Sequence, residues 1–228
     1  MKFYCITDFY SFKQPDLISQ VLSMIRGGAK IIQYRDKNAS NVDFLVNAKK
    51  MREMTKEAGV IFIINDRIDV ALEVGADGIH VGQDDFSMNE LEAYLKSAGL
   101  TRQVGAGTDL VGLKKNGLAR ERFFIIGRST HSFSQALSAE QEGSTYISCG
   151  PIFETATKPE YPAIGLDVLK QVVKKVRIPV VAIGGIHESN IAEVLETGVS
   201  NIAMIRAITE SDDVQTKIRE LNRLFAYV

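Results

Sequence analysis

Eight short apolar runs, each passing into polar or glycine-rich residues and then into a stretch of helical periodicity, predict a parallel sheet closed into a single (β/α)8 TIM barrel. Three observations carry this. The apolar runs are mostly continuous rather than alternating, as parallel strands covered on both faces require. Strand and helix follow one another through short joints, with no linker. No Gly-x-Gly-x-x-Gly follows the first run, which removes the main signal for a dinucleotide-binding open sheet. A chain of 228 residues lies within the range of one such barrel, so residues 1–228 are expected to form one domain.

The elements follow in order. Residues 3–7 form an apolar strand closing on Asp8, and 17–25 an amphipathic helix stopped by Gly27 and Gly28. Residues 29–32 open the second unit, running into Gln33, Tyr34, Arg35, Asp36 and Lys37; a helix over 41–58 ends at Gly59. Strands over 61–64 and 78–81 bracket a short helix at 68–74, and 88–97 is the fourth helix. A strand at 124–126 precedes a helix at 133–142, and a strand at 146–149 precedes a Gly-Pro loop and a helix at 166–176. The last two units pair strand 180–183 with helix 191–196, and strand 201–205 with helix 214–225. Residues 99–122 exceed an ordinary helix-to-strand joint and are expected to be an inserted excursion: 104–108 is broken by glycine, and 110–118 has weak helical character.

The formal net charge of −1 gives no general attraction to nucleic acid or to an acidic membrane surface, so any basic site must be local. Cys5 and Cys149 both lie in apolar strand-like runs, the pattern of reduced buried thiols rather than of a disulfide framework or a zinc site. No run approaches the length of a membrane span, and the first residues lack the apolar core of a leader. A cytoplasmic protein acting on small molecules is expected, with a homo-oligomer left open.

In a barrel of this kind the chemistry sits at the carboxyl ends of the strands. Asn65 and Asp66 end one strand, and Gln83, Asp84 and Asp85 follow the next. If the two strands are parallel neighbours, Asp66 and Asp85 leave the same edge within reach of one another. Two carboxylates there suit magnesium, which keeps several waters and leaves positions for phosphate oxygens. Alternation places Gln33, Arg35 and Lys37 on one side, suited to an anionic group. Thr155, Thr157 and Lys158 offer hydroxyls, loop amides and an ammonium together. Gly184 and Gly185 follow the seventh strand, and Ile205 and Arg206 the eighth, the usual phosphate cup of this barrel. Arg206 either adds charge to that cup or turns outward to an acid. Asn65 serves the cation's water shell, the substrate, or the cap of the next helix. His131 is either a proton shuttle or a hydrogen-bonded loop histidine. His80, inside a strand, and His187, in a polar loop, are given no role.

Gln33-Tyr34-Arg35-Asp36-Lys37, Ile64-Asn65-Asp66-Arg67, Gly78-Ile79-His80-Val81-Gly82-Gln83-Asp84-Asp85, Gly150-Pro151-Ile152-Phe153 with Thr155-Ala156-Thr157-Lys158, and Ile183-Gly184-Gly185-Ile186 together resemble, in order, the motifs of the thiamine phosphate synthase family, which includes the thiazole tautomerases. The resemblance covers most of the chain. It implies condensation of 4-amino-2-methyl-5-(diphosphooxymethyl)pyrimidine with 4-methyl-5-(2-phosphooxyethyl)thiazole, giving thiamine phosphate and diphosphate. It further implies that Gln33, Tyr34, Arg35, Asp36, Lys37, Asn65, Ser129 and Lys158 hold the pyrimidine diphosphate, and that Asp66 and Asp85 bind Mg2+. Thr155, Ala156, Thr157, Gly185, Ile205 and Arg206 would hold the thiazole phosphate, with Arg35, Lys37, Ser129 and Lys158 as the catalytic set. Arg206 departs from the family, which often has Ser there, and the 99–122 excursion is longer than the family's. Two other activities compete: a thiazole tautomerase, for which His131 would shuttle the proton, and a barrel that binds thiazole phosphate without catalysis. The paired aspartates and the Arg35–Lys37 cluster favour the synthase.

Overall fold

The expected strands pair in parallel and close on themselves. The computed structural model describes residues 2–7, 16–103, 110–111 and 123–224. Within them the order is β1 (Lys2–Ile6), α1 (Leu17–Arg26), β2 (Ile31–Tyr34), α2 (Asn41–Glu57), β3 (Ile61–Asn65), α3 (Ile68–Glu73), β4 (Gly78–Val81), α4 (Met88–Ser97) and β5 (Thr101–Arg102). It continues with β6 (Phe123–Thr130), α5 (Phe133–Gln141), β7 (Tyr146–Cys149), α6 (Gly165–Lys175), β8 (Val180–Ile183), α7 (Ile191–Leu195), β9 (Asn201–Met204), α8 (Arg206–Thr209) and α9 (Val214–Leu224). The sheet runs β4-β3-β2-β1-β9-β8-β7-β6, and pairing of β4 with β6 completes the ring.

The two-residue strand β5 is not a stave of the barrel. It pairs with the first residues of β6, Thr101 opposite Phe123 and Arg102 opposite Phe124, just ahead of the point where Gly78 of β4 takes over opposite Ile125. Nothing in two residues distinguishes such a strand from loop. Asp8, most of the 99–122 excursion and Phe225 lie outside the described residues.

Alternation along each strand sorts the apolar side chains into two layers. Tyr4, Ile6, Ile31, Ile61, Ile63, Ile125, Tyr146, Val181 and Ala203 fill the barrel interior. Phe3, Cys5, Ile32, Tyr34, Phe62, Ile64, Ile79, Phe124, Ile126 and Ile202 pack outward against the helices. Several helices start where polar side chains accept from their free N–H groups. Asp16 accepts from Ser19 N at 2.8 Å and Ser40 from Asp43 N at 3.1 Å, while Ser87 and Glu90 cap α4 reciprocally. Between layers, Asp77 accepts from Phe62 N at 2.9 Å and from Arg52 at 3.0 Å, tying α2 to the β3–β4 connection.

Strand β6 runs four residues past the 124–126 that the sequence predicts, so Ser129 and Thr130 belong to the strand. Gly127 reads as a break, yet it pairs on both sides, opposite His80 and Tyr146. A glycine is needed because a Cβ there would lie 2.1 Å from Cζ of Tyr146, whose ring fills the barrel interior. The next residue, Arg128, points out of the barrel and donates to the Phe86 carbonyl at 2.6 Å.

Candidate active site

One cavity of about 420 Å³ opens at the carboxyl ends of the strands. Its lining includes most of the substrate-binding residues expected from sequence: Gln33, Arg35, Asn65, Ser129, Thr155, Ala156, Thr157, Lys158, Gly185, Ile205 and Arg206. Gln33, Asn65 and Ser129 occupy inward positions on β2, β3 and β6, and Arg35 follows in the same phase. Tyr34 and Asp36 occupy the opposite phase and are not brought in. The Tyr34 ring stacks on Phe44 of α2 at 4.1 Å, and the Asp36 carboxylate accepts from the amides of Asn38 and Ala39, both at 3.0 Å. These two side chains support the loop after β2 rather than facing the cavity.

Beside Asn65 lies a charged cluster. Asp66 follows β3 with φ 61°, a left-handed backbone that Asp tolerates better than most residues, and its amide donates to His80 O at 2.9 Å. Its carboxylate is paired with the Lys37 ammonium. Burial pushes the Asp66 carboxyl above the ordinary range, Lys37 pulls it back, and the Asp85 carboxylate, within hydrogen-bonding reach, pushes it up again. Asp85 is held in a turn by Gly82 N, which donates to it at 2.6 Å. Adjacent strand ends thus bring the two acids together. Among the described residues no group of three or more His, Cys, Asp or Glu side chains could hold a metal. Two carboxylates in mutual repulsion fit a hard cation that takes its remaining ligands from water and phosphate oxygens.

Lys158 links this cluster to the cavity. Burial lowers its pKa first, then repulsion by Arg35; Glu160 and Asp66 oppose the fall, and Lys37 adds to it. Three cations therefore converge on one region, and an anionic group between them would relieve their repulsion.

The opposite side of the cavity is built from glycine and short loops. Gly184 and Gly185 have φ of 98° and 65°, and a Cβ on Gly185 would lie 2.6 Å from the Glu154 carbonyl. Only glycine lets the loop after β8 lie against the loop that carries Thr155. Asn190 donates to Gly185 O at 2.9 Å and holds the turn from behind. Of the two orientations left open for Arg206, the structure shows it both bordering the cavity and paired with an acid: it begins α8 and its Nε donates to Glu210 at 2.5 Å.

Sequence reasoning passed over the cavity floor. His80 gets no role from its place inside a strand, yet it occupies an inward position of β4, is buried, and lines the cavity. Gln33 Nε2 donates to Tyr4 Oη at 2.8 Å, the Tyr4 and Tyr146 hydroxyls lie 2.6 Å apart, and the Tyr146 hydroxyl meets His80 Nδ1 at 2.9 Å. His80 Nε2 in turn meets Ser129 Oγ at 3.0 Å. Burial, aided by the charge of Lys158, pushes the imidazole down to about 3, so it is neutral at pH 7. The signal that finds His80 is strand phase: it lies two residues before Gly82, where an inward side chain near a strand's carboxyl end faces the site.

His131 follows β6 as expected. Its Nδ1 lies 2.5 Å from the Gly150 carbonyl and so donates to it, and its ring stacks on Tyr161 with centroids 4.1 Å apart. Burial lowers its pKa, partly offset by that hydrogen bond.

The family model for thiamine monophosphate synthase matches residues 3–110 and 113–208. The chain is 39% identical over 224 residues to the thiamine-phosphate synthase of Chloroflexus aurantiacus, covering 98% of this chain and 92% of the relative. It is 42% identical over 210 residues to that of Pelotomaculum thermopropionicum, covering 92% and 85%. The solved structure of a thiamine phosphate pyrophosphorylase from Pyrococcus furiosus superposes with a TM-score of 0.79 at 34% identity, over 99% of this chain and 96% of that one. With matches of this length and identity, the chain belongs to the thiamine monophosphate synthase family.

Proposed function

We propose that this chain, a transferase by family, joins a pyrimidine-methyl diphosphate to a thiazole phosphate at the cavity described above. The observation that carries the reading is the meeting of Asp66 and Asp85 beside Lys37, with Arg35 and Lys158 in electrostatic reach. In the reaction the bond from the methylene carbon to the diphosphate oxygen breaks, and the electron pair leaves with diphosphate. The thiazole nitrogen then donates its lone pair to the methylene carbon, giving thiamine phosphate. No protein nucleophile is required.

Asp66 and Asp85 would hold a magnesium ion, which when bound neutralises charge on diphosphate oxygens. Arg35, Lys37 and Lys158 stabilise the same developing charge from the protein side. Gln33, Asn65 and Ser129 hold the pyrimidine end, the first and last kept in place by the Tyr4–Tyr146–His80 chain. Thr155, Ala156, Thr157, Gly185, Ile205 and Arg206 hold the thiazole phosphate, with the loops after the seventh and eighth barrel strands forming the cup. The apolar barrel interior excludes water from the cationic methylene carbon. The tautomerase alternative asks His131 to move a proton, whereas its Nδ1 is engaged by Gly150 O and its ring face by Tyr161. Two buried, unpaired cysteines agree with a cytoplasmic protein.

The test is product formation with purified chain. Thiamine phosphate and diphosphate should appear in equal amounts when both substrates are present, and neither product when one is omitted. Conversion of the thiazole substrate to an isomer, without diphosphate release, would replace this reading with the tautomerase.

A further inference from the structure

The loop between β7 and α6 carries Lys158 and the Thr155–Thr157 run into the cavity. Its first end is tied to the end of β8, and its second end to the first, by backbone hydrogen bonds. Ile152 N donates to Ile183 O at 2.9 Å and Phe153 N to Gly184 O at 3.1 Å, while Ile164 N returns to Pro151 O at 2.8 Å. Its tip is held differently. The Tyr161 ring lies face to face with the His131 imidazole, 4.1 Å between centroids and 22° between planes. The Lys158 ammonium lies over the same Tyr161 ring, 5.2 Å from its centroid, and Tyr161 N donates to Lys158 O at 3.2 Å. His131 is itself fixed, through Nδ1 to Gly150 O and through its amide, which donates to Gln135 Oε1 at 2.7 Å. The Tyr161 ring therefore touches both a fixed imidazole after β6 and the ammonium that lines the cavity.

This arrangement answers a problem of charge and freedom. Lys158 is a long, flexible cation placed near Arg35 and Lys37, both of which repel it. Before an anion arrives, those repulsions favour any rotamer that carries the ammonium away. An aromatic face offers a cation an attractive surface without neutralising it, so the charge stays available to a ligand. The ring is also part of the loop it steadies, and it stands on a histidine that directly follows barrel strand β6.

We propose that Tyr161 is a positioning residue for the proposed reaction, its ring clamped on His131 so that Lys158 is presented to the diphosphate group. The inference rests on the proposed function only in taking diphosphate as the ligand of Lys158. It assigns His131 a structural duty in the site, as the platform for the ring. Phenylalanine at 161 preserves both the stack and the face toward Lys158; leucine fills similar space without a π face.

The experiment is a binding and kinetic cycle on the full chain with inorganic diphosphate and magnesium as the probe. Calorimetric affinity should fall about tenfold in Tyr161→Leu and stay within about twofold in Tyr161→Phe, as loss of a cation–π contact and its ordering effect requires. In a Lys158→Ala background, Tyr161→Leu should change affinity by less than about twofold, because the residue it acts through is gone. Turnover should follow the same order, with kcat recovered by Phe and not by Leu. Equal losses in Phe and Leu, or an undiminished Leu effect without Lys158, overturn the clamp. A wild-type chain that binds diphosphate and turns over while all Tyr161 variants match it overturns the clamp alone. A wild-type chain that does neither overturns the proposed function as well. The partly exposed loop position makes folding failure easy to recognise, and a circular dichroism melt of each variant is the control.

Discussion

The Lys37 ammonium rests against the Asp66 carboxylate, joining the loop after β2 to the end of β3. The lysine side chain is 53% exposed and that of Asp66 22%; with the ammonium open to solvent, a pair of this kind contributes about 1 kcal/mol or less to stability. The value of the contact is its location: it places a cation beside the acid pair.

Lys37→Gln should therefore separate folding from turnover. The unfolding free energy in urea is expected to change by less than about 1 kcal/mol, while kcat falls on the order of a hundredfold with loss of charge stabilisation on the leaving group. A variant with unchanged kcat would remove Lys37 from the proposed catalytic set.

Gly127→Ala tests the packing that places Ser129. A Cβ at this position would meet the Tyr146 ring at 2.1 Å, so the ring or the strand must move. Overpacking of this kind costs about 1–3 kcal/mol, and the expected result is a lower urea midpoint with weakened pyrimidine-diphosphate binding. An unchanged midpoint would mean that the interior yields without strain.

The same glycine shows where sequence reasoning stops. The barrel is legible because continuous apolar runs and short joints constrain topology strongly. The acid pair is legible because Asp66 and Asp85 lie in the polar residues that follow two neighbouring strands, β3 and β4. Alternation places Gln33, Arg35 and Lys37 on one side; Gln33 and Arg35 line the cavity, while Lys37 turns to Asp66 beside it. Ser129 is placed one element too late because Gly127 looks like a terminator until Tyr146 is known to occupy its space. Tyr34 and Asp36 are grouped with Gln33 and Arg35 by the motif resemblance, whereas alternation along the strand sends neighbours to opposite faces. The floor formed by Tyr4, Tyr146 and His80 depends on side chains from β1, β7 and β4 meeting across the barrel, and no local spacing encodes that meeting.

His80 makes stability depend on pH in a defined direction. Its imidazole is held near 3 in the folded chain against an ordinary value near 6.5, so below that value the unfolded chain binds a proton that the folded chain refuses. The contribution is complete above pH 6.5 and is lost as pH falls toward 3, at about 1.4 kcal/mol per pH unit within that window. Urea unfolding of wild type and His80→Gln between pH 7.5 and 5 is expected to show a shallower acid-side decline in the variant; equal slopes would contradict a neutral buried His80.

Gly185→Ala places a side chain at φ 65° and against the Glu154 carbonyl at 2.6 Å. Strain of about 1–3 kcal/mol is expected, together with a KM for the thiazole phosphate raised on the order of tenfold. The KM for the pyrimidine diphosphate should change little. Equal effects on both would place Gly185 outside the thiazole phosphate cup.

The most direct measurement is diphosphate release titrated with magnesium, in wild type and in Asp66→Ala, Asp85→Ala and His131→Ala, with a chelator blank for each. Activity should vanish with chelator, fall on the order of a hundredfold or more in either aspartate variant, and stay within about tenfold of wild type in His131→Ala. Full activity under chelator, or a greater loss from His131→Ala than from both aspartate variants, would contradict the assignment of Asp66 and Asp85 as the seat of the cation.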